Sequence, residues 1–184
     1  MRIKAIFFTL VLSLLAIVGI ATASPNFQTT PYSTNNFSAT FNGPVTADPM
    51  QRSTDGQSSN YAYYSFNETT GVGQIVIVRF VDHDIPVDYT SSDFYANDDK
   101  TGGVITNRST TTYQGHPLTY TRQGYMEDGV HLSKRTRFII VNSREVIFLE
   151  QIAPFTDYSA LPNGGVGMGD QPQWFEIEDS LNIK

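Results

Sequence analysis

Hydrophobic and polar positions alternate along most of this chain. In "NFSATF", Phe37, Ala39 and Phe41 fall on one face, the period of a half-buried strand. The segment "NYAYYSF" that follows a loop-like stretch is aromatic and β-prone. After the turn "TTGVG" comes "QIVIVRFV", Gln74 to Val81. Here Ile75, Ile77 and Val81 share one face, and Val76, Val78 and Phe80 share the other. A strand apolar on both faces must be covered on both sides.

Four further strands read as a meander. "VITNRSTTTY" runs into a Gly115-His116 turn, and "LTYTRQGYM" runs into Asp128-Gly129, a strong hairpin signal. "VHLSKRTRFIIV" then reaches Asn142-Ser143, and "EVIFLEQIA" closes the series. The short turns make neighbours antiparallel. The pattern changes in two places. "PVDYTSSDFYANDDKTGG", residues 86–103, is the best site for a first helix, with Thr90 or Ser91 as cap and Asp93 in the first turn. In "QWFEIEDSLNIK", Trp174, Ile177 and Leu181 recur at helical spacing, and Leu181 and Ile183 suit a short last strand. The expected fold is therefore α+β: a three-layer α/β/α sandwich around a central antiparallel sheet of six or seven strands.

Composition places this domain outside the cytoplasm. Arg2 and Lys4 precede an apolar run from Ala5 to Ile20, and Ala21-Thr22-Ala23 has the small-x-small form of a cleavage site. This is the pattern of a secretory signal peptide, residues 1–23, with an uncleaved membrane anchor as the alternative. Residues 24–35, with Pro25 and Pro31, read as a flexible leader, and 36–184 as one domain. Without its first 23 residues the 184-residue chain keeps 161, enough for one real core. The signal carries two basic residues and no acid, so its loss takes the net charge from −6 to −8. Such a domain is a poor partner for nucleic acid or an anionic membrane surface, and no stable membrane insertion is expected after cleavage. The chain has no cysteine. It therefore has no disulfide, thiol nucleophile, Cys-zinc site or lipidated cysteine, and its core alone must hold it together. This favours a bacterial periplasmic or extracellular protein. The N-x-[ST] sequons at Asn36, Asn67 and Asn107 read as polar loop or strand chemistry.

The order of pieces resembles the PsbP/Mog1-like superfamily over roughly Asn36 to Lys184. The resemblance is carried by "FSATFNGP", "YAYYSF…QIVIVRFVD", the Gly-x-Pro hairpin "TYQGHPLTYT", the long hairpin "RTRFIIVNSREVIFLEQ" and the closing "WFEIEDSLNI". The first helix here is shorter and more polar than the family pattern, and the loop before the last helix is unusually rich in glycine. The resemblance implies the sandwich fold and mostly non-enzymatic roles as accessory or binding domains. It carries over no partner.

Candidate chemistry is sparse. His116 lies in "QGHP", where Gly115 and Pro117 satisfy turn geometry without needing an imidazole. "VDHD" brings Asp82, His83 and Asp84 close together, but on an extended strand His83 points away from the two acids. In "NDDKTGG", Asn97, Asp99, Thr101 and Gly102 match calcium-loop positions, yet Arg108 stands where the bidentate glutamate belongs. "GGVGMGD" lacks the Lys-Ser/Thr of a phosphate loop. Neither G-x-S-x-G nor Ser-x-x-Lys occurs. Glu176 and Glu178, two apart on a helix, diverge and cannot act as a carboxylate pair. No catalytic residue, metal ligand or cofactor is assigned.

Charge is the clearest asymmetry. Six acids and no base lie between Asp82 and Asp99, whereas Arg122, Lys134, Arg135, Arg137 and Arg144 crowd the later hairpins. Arg135 and Arg137 share a strand face that becomes apolar at Ile139 and Val141. The charged end is expected to project past its covering layer and to form, with Arg122 and Lys134, a cationic patch. The function expected is a secreted or envelope-associated, non-catalytic binding or accessory protein. Its partner would be another protein or an envelope component with an acidic surface. The alternative is a metal-dependent or hydrolytic enzyme using His83 or His116 with nearby acids.

Overall fold

The computed structural model describes residues 29–68, 71–85, 104–127, 130–154 and 177–184. These hold eleven strands: β1 (Thr30–Ser33), β2 (Phe37–Phe41), β3 (Thr46–Ala47), β4 (Gln51–Arg52), β5 (Ser58–Asn67), β6 (Val72–Val81), β7 (Val104–Tyr113), β8 (His116–Glu127), β9 (Val130–Asn142), β10 (Glu145–Pro154) and β11 (Asn182–Ile183). One helical turn covers residues 177–180.

The large sheet is antiparallel, in the order β3-β5-β6-β10-β9-β8-β7, with β4 pairing β5 beside β3. Its backbone is four hairpins, β5–β6, β7–β8, β8–β9 and β9–β10. β5 and β6 pair from Ser58↔Val81 to Asn67↔Val72. β8 and β9 pair from Leu118↔Ile139 to Glu127↔Val130, leaving two residues for the turn. β10 fills the gap between β9 and β6, with Leu149 opposite Arg137 on one side and Val76 on the other. Strand order therefore departs from chain order. The connection after β6 carries the chain from the middle of the sheet to its far edge at β7.

A second, three-stranded sheet of order β1-β2-β11 crosses one face of the first. β2 buries Phe37, Ala39 and Phe41 against Val76, Val78, Leu118, Ile139, Ile147 and Leu149 of the large sheet, and Ile177 and Leu181 join them. Each fully buried Phe contributes about 1.5–3 kcal/mol relative to exposure. The helical turn closes with a bond from the Leu181 N–H to the Ile177 carbonyl, which sets both apolar residues on one side. β11 then pairs β2, Asn182 opposite Ser38, and the Lys184 N–H donates to the Asn36 carbonyl. Residues 182–184 are thus fastened to β2, among the first of the described strands. The opposite face of the large sheet buries Phe138, Val146 and Phe148, with Ile77, Ile85 and Ile140 against them. Arg79 stacks over the Phe148 ring at 4.9 Å.

These findings correct the expected α+β three-layer sandwich. The described chain is almost entirely β, with two antiparallel sheets and one short helical turn. The sheet expected to hold six or seven strands has eight. Two-faced apolarity in β6 correctly required cover on both sides, but periodicity does not say what the cover is made of. On one face it is largely a second sheet. β2 was expected as a strand, and its apolar face turns out to belong to this second layer. Residues 30–33, within the expected flexible leader, form β1 and pair with β2 from Thr30↔Phe41 to Ser33↔Ser38. Pro31 is tolerated because β1 is an edge strand. β3 and β4 arise in the stretch read as a loop. The expected first helix at 86–103, the signal peptide and the glycine-rich loop lie outside the described residues.

Candidate arginine-lined site

The sheet face that carries the core changes character along its length. Toward the β6–β10–β9 centre it is apolar. One step further, Gln74, Gln151 and Arg135 stand side by side on β6, β10 and β9, and Arg122 of β8 follows opposite Arg135. Gln74 and Gln151 are fully buried and Arg135 is only 6% exposed. A buried polar row of this kind is stable only if its members bond one another.

They do so in a chain. The Asn42 N–H donates to Gln74 Oε1 at 2.8 Å, and Gln74 Nε2 donates to Gln151 Oε1 at 3.3 Å. Gln151 Nε2 then donates to Glu178 Oε1 at 2.9 Å. Glu178, 1% exposed, hangs from the helical turn above the sheet. Its second oxygen, Oε2, accepts from Arg137 Nη2, and Arg135 Nε lies 3.6 Å from Oε1. Desolvation pushes the Glu178 carboxyl above the usual carboxylate range, while Arg137 and Arg135 pull it back. Burial wins because this acid is sealed between two sheets.

Two tyrosines complete the surroundings. The Tyr120 hydroxyl accepts from Arg135 Nε at 2.9 Å and from Arg122 Nε at 3.2 Å. It thereby bridges two like charges that face each other across β8 and β9, an arrangement that is otherwise destabilising. The Arg137 guanidinium sits 5.8 Å from the Tyr113 ring centre. The Tyr113 hydroxyl donates toward the Glu178 and Leu181 carbonyls, and burial raises its pKa above the usual phenol value. A cleft of about 480 Å³ opens over these groups, walled by Ser109, Thr111, Tyr113, Tyr120, Arg122, Arg135 and Arg137.

The β7–β8 hairpin positions Tyr113 and fastens the roof. Its central residues, Gln114 and Gly115, have φ of 50° and 84°, as a tight two-residue turn between twisted strands requires. His116 is the first residue of β8 and pairs with Tyr113. Gln114 tolerates a left-handed backbone while its amide clasps the C-terminal segment. Gln114 Nε2 donates to the Leu181 carbonyl at 2.9 Å, and Gln114 Oε1 accepts from the Ile183 N–H at 3.0 Å.

The expected cationic residues therefore divide. Arg122, Arg135 and Arg137 come together in one cleft. Arg135 and Arg137 do not project past the covering layer; they lie beneath it, paired with Glu178. Lys134 points to the opposite face, where it pairs with Glu150 at 3.1 Å. His83 is exposed, and its neighbours Asp82 and Asp84 form surface ion pairs with Arg52 at 3.3 Å and Arg144 at 2.9 Å. His116 lies on β8, three strands from β6, a separation of about 14 Å. The calcium-like positions Asn97, Asp99, Thr101 and Gly102 fall outside the described residues. No group of three or more potential metal ligands occurs among those described. Glu178, Gln74 and Gln151 went unassigned from the sequence. Their one signal was a glutamine on the buried parity of two otherwise apolar strands.

No known protein family matches the chain. No curated protein matches it. Among solved structures it is similar to LpqN of Mycobacterium tuberculosis, described as involved in cell envelope biogenesis. The likeness is 13% in identity with a TM-score of 0.47, over 86% of this chain and 92% of that one. The resemblance to the PsbP/Mog1-like superfamily gains no family match from these comparisons. Among the described residues no helix is long and apolar enough to cross a membrane.

Proposed function

We propose that this chain is an exported, non-catalytic binding or accessory domain that recognises an anionic group of its partner in the cleft of Arg122, Arg135 and Arg137. The observation that carries this reading is the convergence of three guanidinium groups with the Tyr113 and Tyr120 rings around one cleft. Guanidinium forks suit carboxylates and phosphates, and partly desolvated pairs of this kind are stronger than those in open water. The ordering is done in advance. Tyr120 holds Arg122 and Arg135, and Glu178 holds Arg137. A ligand therefore meets side chains whose conformational entropy is already spent. Export is part of the proposal and rests on the signal-like residues 1–23 and the lack of cysteine. Kinship with PsbP/Mog1-like domains also belongs to it, supported by the long β5–β6 and β9–β10 hairpins.

Among the described residues, no arrangement of His83 or His116 with acids supports the alternative enzyme. His83 lies in the bend after β6 and His116 begins β8, three strands away, and the acids beside His83 are engaged with arginines.

Calorimetric titration of the purified domain with pyrophosphate tests the reading. Binding that weakens about tenfold in Arg122→Gln and is unchanged in Lys134→Gln supports it. Arg122 is the better probe because Arg135 and Arg137 also hold the fold through Glu178. Absence of binding, or equal loss in both variants, overturns it.

A further inference from the structure

We infer that the partner's anionic group arrives on an extended acidic peptide that adds to the outer edge of β7 and directs alternate carboxylates into the arginine cleft. This deepens the reading above and rests on it. Three observations carry it.

The first is the edge itself. β7 is the terminal strand of the large sheet, and among the described residues it has a neighbour on one side only, β8. Residues 109–112 are exposed. The tight turn makes Tyr113↔His116 a hydrogen-bonded pair, and the antiparallel ladder then alternates. Thr112↔Pro117 and Thr110↔Thr119 are therefore non-bonded pairs. The Thr110 and Thr112 N–H and C=O groups point away from β8, to the open edge. Such groups are a template for a further strand. Charged residues and proline, the usual guards of an edge, do not occur among residues 109–112.

The second is the wall of the cleft. Ser109, Thr111, Thr112 and Tyr113 form its β7 side, and the first three are short. A strand added about 4.8 Å beyond β7 places alternate side chains over them. Arg122 is one strand further in, on β8, diagonal to Ser109, so a glutamate reaching across this small residue meets a long side chain coming the other way.

The third is charge. The cleft is cationic on a chain of net charge −6. Acidic side chains suit it, and the alternative occupant, a second copy of this chain, does not. Edge-to-edge pairing through β7 would set two arginine clefts next to each other.

Fluorescence anisotropy with a short labelled peptide alternating glutamate and threonine tests the inference, alongside pyrophosphate titration and sedimentation velocity. Peptide binding is expected, about tenfold weaker when alternate peptide nitrogens are methylated, since methylation removes main-chain donors and keeps the charge. Thr110→Pro deletes one outward N–H and no bond to β8. It is expected to weaken the peptide about tenfold and to leave pyrophosphate binding unchanged. Arg122→Gln should weaken both. Equal binding of the methylated peptide overturns strand addition and leaves the anion cleft standing, whatever the folding of the proline variant. Pyrophosphate binding with no peptide binding overturns it in the same way. A wild-type dimer that becomes a monomer in Thr110→Pro overturns it in favour of self-association. Failure of both probes rejects the cleft reading as well.

Discussion

Arg137 and Glu178 meet beneath the helical turn, 41 residues apart in the chain, in a charge-assisted hydrogen bond where the carboxylate is 1% exposed. Burial of an ion pair is costly unless its remaining lone pairs are satisfied, and here Gln151 and Arg135 satisfy them. Removing the acid strands two guanidinium groups. Glu178→Ala is expected to lower unfolding free energy by about 3–5 kcal/mol, read from denaturant midpoints. A loss below about 1 kcal/mol would show that the arginines find water instead.

The same carboxyl sets a pH signature. Its folded-state pKa is raised by burial above the ordinary value of 4.5. The folded protein thus holds this proton where the unfolded chain has released it. Stability associated with Glu178 is fully present below the unfolded pKa and is lost as pH rises through the raised folded value. Asp84 works in the opposite sense. The Arg144 hydrogen bond lowers its pKa below 3.8, so its small, exposed contribution is present above that pH and lost as pH falls. Glu178→Gln should therefore flatten the decline in melting temperature on the neutral side of pH 4.5. An unchanged profile would assign the decline to another group.

Gln74 and Gln151 form one relay between Asn42 and Glu178, so their energies should not add. Gln151→Leu leaves Gln74 Nε2 and Glu178 Oε1 short of a partner and is expected to cost about 1–3 kcal/mol. In a double-mutant cycle with Gln74→Leu, a coupling of about 0.5–3 kcal/mol is expected. Additive losses would mean that the two amides act separately.

Gln114 couples a strained backbone to the C-terminal clasp. Gln114→Ala keeps the positive φ and loses two hydrogen bonds, whereas Gln114→Gly loses the bonds and relieves the strain. Alanine should therefore be the less stable by about 1–2 kcal/mol in chemical denaturation. Equal stabilities would show that the turn carries no strain. His116→Asn in the same hairpin should leave pyrophosphate binding intact, because the imidazole lies at a strand start outside the cleft wall. Loss of binding in a folded His116→Asn protein would restore the histidine as functional.

Local pattern determined most strands. The alternation in "NFSATF", the two-faced run at Val76 and Ile77, the bounds of β7 and the two-residue gap at Asp128-Gly129 all follow from residues that are neighbours in the chain. Periodicity and turn chemistry act over a few residues, and a sequence displays them directly. The grouping of arginines in the later hairpins was equally plain. Tertiary structure decided the rest. That β10 lies between β6 and β9, that a second sheet with the C-terminal residues roofs the large one, and that Glu178 descends between Arg135 and Arg137 are all pairings across tens of residues. Strand parity placed both arginines on the face that becomes core, but not the acid that waits there. Only closure of the chain, with β11 paired to β2 and Gln114 holding Leu181, brings that carboxylate within reach and turns an expected surface patch into a walled cleft.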